Sequence, residues 1–221
     1  MSKLPQTLPY HIFDQIRRGI IHGKYPPGTA LREHELERQF GSSRGPVREG
    51  LRLLELKGLT THSQRRGFRV SSMSLKEVSD LYRLRAELES LVVQSLKNMP
   101  LGDMVAQLHR NLEAMEQHFN NSDLSAYFER NIAFHAIMLD ASQNEPLARV
   151  LEIANEMSLP IRYFVLSKRF AESKSLRHHR AITAAFEMGD LDKARDLTRE
   201  DIMSNLDFLK SCTEWFVEAP T

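Results

Sequence analysis

Three arginines at four-residue spacing are the first side chains in the sequence with an evident chemical use. Arg44, Arg48 and Arg52 fall on one face of a helix, roughly opposite the apolar residues Val47 and Leu51. Such a helix can bury one side and offer guanidinium groups on the other, which grip guanine bidentately or bind phosphate. The alternative interpretation is a solvated basic face whose arginines pair with neighbouring glutamates.

A short basic turn follows this helix. Leu59 to His62 and Phe68 to Ser71 have the alternating pattern of strands, and the turn between them contains Arg65, Arg66 and Gly67. The tip of such a hairpin suits the minor groove of DNA or the adjacent phosphates. Two independent basic features on one small module favour DNA binding over a merely solvated face.

A third set of candidate residues consists of polar side chains on apolar helical stripes. Asn131 and His135 lie one turn apart, His179 is in line with an apolar stripe of its own, and Asp201 points inward on the last helix. Four such groups on three helices can surround one divalent cation. Alternatively, each is a buried polar residue that a neighbour or a water molecule satisfies.

Hydrophobic periodicity predicts the elements that must position these groups. In the first third of the chain it predicts helices at Tyr10 to His22 and Glu33 to Phe40, then a helix capped by Ser42 or Ser43, then the hairpin. Ser74 to Glu77 has the form of a capping box, and the helical period continues from there. The further helices are predicted near residues 75–98, 102–120, 123–141, 145–167, 174–188 and 190–212.

The distribution of charge divides the chain in two. Residues 1–72 contain 13 basic and 6 acidic side chains (+7), whereas residues 73–221 contain 17 and 23 (−6), which gives the net charge of +1. We therefore expect a DNA-binding domain at residues 1–72 and an all-α domain at residues 73–221. The single cysteine, Cys212, excludes an internal disulfide. The sequence lacks an apolar run of about 18 residues, so we expect a cytoplasmic protein with no membrane partner.

The basic module resembles a known family over residues 8 to 72. The segments that carry the resemblance are Gly23 to Leu31, Glu35-Leu36, Ser43 to Leu51, Gly58-Leu59 and Arg66-Gly67. They closely resemble the winged helix-turn-helix of GntR-family transcription regulators, from which Ser42, Gly45 and Gly50 depart. The resemblance implies that eight residues face DNA: His34, Ser43, Arg44, Gly45, Arg48, Arg65, Arg66 and Gly67.

The all-α part is similar to the FCD effector domain of the FadR-type branch of this family, in its six-helix, VanR-like form. The similarity runs from about Lys76 to Leu209 and is looser. It implies a divalent ion, Zn²⁺, Ni²⁺ or Mn²⁺, bound at positions where the family typically has an Asp, His, His, His set. Here those positions hold Asn131, His135, His179 and Asp201. Two of the four therefore differ, because an amide replaces the first carboxylate and a carboxylate replaces the last imidazole.

The same resemblance implies a small carboxylate effector. Arg85 occupies a position that commonly lines the effector pocket, and Arg162 is a second candidate. A guanidinium opposite a metal gives an organic acid two cationic anchors. Without the resemblance, Arg85 has an equally good interpretation as a surface ion pair with Glu89.

Together these features predict a mainly α protein, with a winged helix-turn-helix followed by an antiparallel helical bundle. The predicted function is that of a homodimeric repressor that binds a palindromic operator in double-stranded DNA and responds to a small organic acid, without catalysis. The alternative is a metal-dependent enzyme that uses His135, His179 and Asp201. Gly41 to Gly45 also fits the G-x-S-x-G pattern of a hydrolase centred on Ser43, but that motif needs a preceding strand, and here a helix precedes it.

Overall fold

The computed structural model describes residues 7–212 and 215–216. Its helices are α1 (Leu8–Ile21), α2 (Glu33–Phe40), α3 (Arg44–Leu56), α4 (Leu75–Ser95), α5 (Gly102–Asn120), α6 (Leu124–Ser142), α7 (Glu145–Arg169), α8 (Lys174–Glu187) and α9 (Leu191–Ser211). A 3₁₀ turn, Phe170–Glu172, follows α7. The strands are β1 (Ala30–Leu31), β2 (Thr60–Ser63) and β3 (Gly67–Val70).

The N-terminal helices pack around one small core. Ile12 and Ile16 of α1 and Val47, Leu51 and Leu54 of α3 are fully buried in it, as their three- and four-residue spacing predicts. An antiparallel sheet of order β1-β3-β2 closes the core, with Ala30 opposite Arg69 and His62 opposite Phe68. Three helices and a small sheet form a winged helix-turn-helix.

The six helices from α4 onward form a bundle with its own apolar core. The capping box at its start is present, because the Glu77 amide donates to Ser74 Oγ at 3.2 Å and the Ser74 amide donates to Glu77 Oε2 at 2.7 Å. Asp123, Asn144 and Asp190 cap α6, α7 and α9. The predicted fold class is confirmed.

The local details differ from the prediction in several places. The helix α1 begins at Leu8, and β2 begins one residue late while β3 begins one residue early. The strand β1 was not predicted, because two residues are too few to show an alternating pattern. Ser43 is the N-cap residue of α3, but its side chain makes no capping hydrogen bond.

Gly50 lets α1 approach α3 closely. A Cβ at this position would lie 3.0 Å from the carbonyl oxygen of Pro9 and 3.0 Å from Cγ2 of Ile12. The sequence indicates only a cost for this glycine, about 1 kcal/mol of helix propensity relative to alanine. The structure gives the reason for a glycine here: the backbones of α1 and α3 are in close contact at this position.

The helix α7 packs against the winged helix-turn-helix as well as against the bundle. Arg17 donates to both carboxylate oxygens of Glu156, at 2.8 and 2.7 Å, and the Lys57 Nζ lies 2.5 Å from Glu152. A Cβ on Gly58 would lie 2.7 Å from Cγ of Met157. Within residues 7–212 and 215–216, we find no helix with the length and apolar character that crossing a membrane requires.

Candidate DNA-binding and metal sites

The recognition helix α3 presents its first turn to solvent. Ser43, Arg44 and Gly45 are exposed, and a Cβ added to Gly45 would meet only open space. Arg48 is half-buried one turn further on, and Val47, which precedes it, is buried. The side chains that the arginine spacing predicts to face outward therefore do so at the N-terminal end of α3, which is where recognition helices meet base edges.

The wing and the recognition helix line one concave surface, which we call the basic groove. Six of the eight predicted DNA-facing residues line it, namely His34, Arg44, Arg48, Arg65, Arg66 and Gly67. Ser43 and Gly45 are exposed at the start of α3. Arg32 and Arg69 also line the groove and were not predicted. Arg69 is exposed because β3 alternates, and its Nη1 donates to the carbonyl of Gly28 at 2.9 Å.

Three of the four predicted metal ligands meet in the bundle. His135 of α6, His179 of α8 and Asp201 of α9 offer ligand atoms that all lie within 4.8 Å of one another, and all three residues are buried. Asp201 Oδ2 lies 3.6 Å from Nε2 of His135 and 3.5 Å from Nε2 of His179. The ring of His179 stacks on Phe134 with centroids 3.8 Å apart, which fixes its plane.

The donor set fits a divalent transition metal. Two imidazoles and a carboxylate suit Zn²⁺, Ni²⁺ or Mn²⁺. Both ring nitrogens of His179 are buried and have no hydrogen-bond partner among the described residues. Buried polar atoms are nearly always paired, so an orphaned imidazole beside a carboxylate is a reason to expect a ligand there.

Asn131, one helical turn before His135 on α6, contacts an arginine. Its Oδ1 accepts a hydrogen bond from Nη2 of Arg162 at 2.9 Å. Burial and the nearby charge of Arg85 lower the pKa of Arg162 to about 10. Arg85 itself is buried, and its Nε donates to Asn155 Oδ1 at 3.0 Å while Nη2 lies 3.5 Å from Glu89. The alternative of a surface ion pair for Arg85 is therefore wrong.

Three residues of this interior were not predicted as part of the site. Glu89 Oε2 lies 3.5 Å from Nδ1 of His135, and His178 Nδ1 lies 3.2 Å from Oδ1 of Asp201. The hydroxyl of Tyr82 is buried without a hydrogen-bond partner in the described part of the chain. Glu89 and Tyr82 lie on the inward side of α4 among apolar residues. A charged residue on an apolar stripe indicates a buried polar site, so Glu89 could have been found from the sequence.

The titration of the cluster follows from its burial. Burial lowers the pKa of His179 from 6.5 to about 4, against the opposing attraction of Asp201. For Asp201, burial acts to raise the pKa, but the adjacent imidazoles of His178 and His179 outweigh it and hold the pKa well below its usual range. Asp201 is therefore a carboxylate and His179 a neutral imidazole at neutral pH, which are the forms that bind metals.

The low pKa of His179 predicts that the protein loses stability in weak acid. The unfolded chain binds a proton at His179 below pH 6.5 and the folded chain only below about 4. Stability should therefore fall as the pH drops through this window, by on the order of 3 kcal/mol. Denaturant unfolding of chelator-treated protein measures it, and His179→Gln should lack this component. Parallel pH profiles for the two proteins would contradict the prediction.

The chain combines a winged helix-turn-helix that carries a basic groove with a helical bundle that encloses two histidines and an aspartate. This combination is typical of two-domain, ligand-responsive DNA-binding regulators. Comparison with known families agrees. Residues 9–70 match the family described as bacterial regulatory proteins, gntR family, and residues 80–203 match the FCD domain. The chain belongs to the GntR family of transcription regulators and carries an FCD domain.

Individual relatives support the assignment. The HTH-type transcriptional regulator YdhC of Bacillus subtilis is 32% identical over 81% of this chain and 82% of its own. The gluconate operon transcriptional repressor of Bacillus licheniformis is 25% identical over 90% of this chain and 82% of its own. Among solved structures, McbR/YncC of E. coli superposes with a TM-score of 0.79 at 22% identity, over 94% of this chain and 99% of that one, and shows the same fold.

Proposed function

We propose that this protein is a homodimeric repressor that binds a palindromic operator and leaves it when a small carboxylate binds the bundle. The observation that carries the proposal is the basic groove, in which the recognition helix and the wing converge. We place the DNA-binding domain at residues 1–72, the effector domain at residues 73–221, and the protein in the cytoplasm with its DNA. Relatives named as repressors support the sign of the regulation.

His135, His179 and Asp201 would hold the metal, with Asn131 next to them. The metal would supply a Lewis-acidic anchor for a carboxylate oxygen. Arg162 supplies the second anchor, and the buried hydroxyl of Tyr82, which has no hydrogen-bond partner among residues 7–212 and 215–216, is a further candidate donor. The positive charges of Arg85 and Arg162 balance the negative charges of Glu89 and Asp201, so a divalent cation adds a charge that an anionic effector can neutralise.

The helix α7 connects the effector site to the DNA-binding domain. Asn155 and Arg162 on α7 contact Arg85 and Asn131 in the bundle, whereas Glu156 grips Arg17 of α1. A carboxylate that binds Arg162 would replace its hydrogen bond to Asn131. If the carboxylate binds more tightly when α7 occupies one of two positions, it shifts the population toward that position, and the DNA-binding domain moves with α7.

The test uses a duplex that the protein itself selects from a random pool. With Zn²⁺ or Mn²⁺ present, gluconate or another small carboxylate from a panel should release the wild-type protein from this duplex. Glu156→Gln should bind the duplex but resist release, while Glu145→Gln, at the far end of α7, should behave like the wild type. If the wild type selects no duplex, or no carboxylate in the panel changes its binding, the proposal fails.

Exposed apolar side chains support the homodimer. Leu84 and Leu91 of α4 and Val150 and Ile153 of α7 are between 43% and 54% exposed on two helices that pack together. A two-fold dimer through this surface would give the two heads that a palindrome requires.

Charged residues on this surface should break the dimer. We expect Leu84→Glu combined with Ile153→Glu to sediment as a monomer at micromolar concentration, because dimerisation would bury four uncompensated carboxylates. Met188→Glu is the matched control, since Met188 is even more exposed but lies at the end of α8. A dimeric double variant would show that the interface lies elsewhere.

A further inference from the structure

One acidic residue lies within the basic groove. Of the described residues that line this surface, six are arginines and Glu33 is the single carboxylate. A carboxylate that faces DNA repels phosphate, so its presence at this place needs a physical reason. Its position at the first residue of α2 offers one, because acidic side chains stabilise helix N-termini. That reason alone explains neither its burial nor its contacts.

The contacts of Glu33 reach across to the recognition helix. Oε2 lies 2.5 Å from Nε of Arg44, and Oε1 lies 3.6 Å from Nε of Arg48. The side chain of Glu33 is only 18% exposed, whereas that of Arg44 is 68% exposed. The Nε atom of Arg48 is buried and has no hydrogen-bond partner among the described residues. The carboxylate of Glu33 is the nearest opposite charge to this atom in that part of the chain.

Both contacts use the Nε side of the guanidinium groups. A guanidinium has five N–H donors in a fixed fork, and one carboxylate oxygen at Nε leaves the terminal nitrogens available for a base edge. A long, exposed arginine otherwise samples many rotamers, and ordering it on binding has an entropic cost. An arginine that an ion pair already orders in the free protein loses less conformational entropy when DNA binds.

We propose that Glu33 is a positioning residue for base recognition, which holds Arg44 and Arg48 in the orientation that reads the operator. The inference rests on the proposed DNA-binding role of these arginines. It predicts that Glu33 improves discrimination between sequences while it weakens attraction to DNA in general, because its negative charge opposes phosphate binding at every sequence.

The test compares Glu33→Gln with the wild type on two probes, the duplex that the wild type selects from a random pool and a scrambled duplex of the same composition. We expect binding to the selected duplex to weaken about tenfold or more, the scale of one arginine–guanine pair. Binding to the scrambled duplex should stay unchanged or become tighter. Glu37→Gln is the matched control, because Glu37 lies on the same helix but does not line the basic groove.

A double-substitution cycle separates positioning from a structural role. In an Arg44→Ala background, which keeps Arg48 and part of the discrimination, Glu33→Gln should weaken binding to the selected duplex by a smaller factor than it does in the wild type, because its closer partner is already absent. Equal weakening on both probes in the single variant would indicate general damage to the domain, and equal strengthening would indicate simple repulsion. Either result overturns the proposal, as does a Glu33→Gln variant that binds both probes as Glu37→Gln does. If the wild type selects no duplex at all, the DNA-binding proposal itself has failed.

Discussion

Arg48→Ala should abolish operator recognition, with a loss of affinity for the selected duplex of about 100-fold or more. The proposed dimer would lose two arginine–base contacts, one in each protomer, and each bidentate contact contributes about 1–3 kcal/mol of discrimination. Arg48 is half-buried and lines the basic groove, with its Nε 3.6 Å from the carboxylate of Glu33. Fluorescence anisotropy with the selected and scrambled duplexes at fixed salt measures the effect.

The control for this variant keeps the change in net charge but moves it away from the groove. Arg110→Ala removes one positive charge from an exposed position of α5 in the bundle. If the arginines only attract phosphate, the two substitutions should differ little in sequence preference. The DNA-facing assignment of α3 is wrong if Arg48→Ala retains full affinity for the selected duplex.

His179→Gln should remove the metal. We expect wild-type protein purified without chelator to contain close to one equivalent of a transition metal per chain, and the variant to contain less than about one tenth of that amount. The loss of one of three strong donors from a buried site leaves the ion without a sufficient ligand set. Elemental analysis by mass spectrometry measures it, and Gln is preferred to Ala because it preserves part of the contact with Phe134.

His109→Gln is the matched control for the metal prediction. His109 is exposed on α5 and pairs with Glu187 at 2.6 Å, outside the cluster. It should retain the wild-type metal content, and both variants should show helical circular dichroism. Equal metal content in the His179 and His109 variants would exclude the proposed site, as would a wild type that binds no added Zn²⁺, Ni²⁺ or Mn²⁺.

Local patterns in the sequence were sufficient to predict most elements of this fold. They predicted the six helices of the bundle, the capping box at Ser74 and the inward stripe of α3. These features depend on interactions within a few residues, which produce a clear period in the sequence. The strand β1 did not show itself, because its two residues become a strand only by pairing with β3, nearly forty residues later.

The site was predicted to the extent that its residues interrupt an apolar period. His135, His179 and Asp201 did so, and the structure brings them together. The four-residue spacing of Arg85 and Glu89 indicates an ion pair at the surface, whereas both residues are buried and Arg85 also donates to Asn155, which is 70 positions away. A local pattern does not contain a contact at that separation.

The sequence by itself determined which helices form, which of their faces are apolar, and where positive charge accumulates, because these properties depend on short-range periodicity and composition. Only the tertiary structure decided what those faces meet. It placed Glu33 of α2 against Arg44, 11 residues away, and it placed α7 in contact with both the helical bundle and the winged helix-turn-helix. The reason is physical: the packing of whole helices fixes which side chains meet, and many sequences share the same local period while differing in that packing.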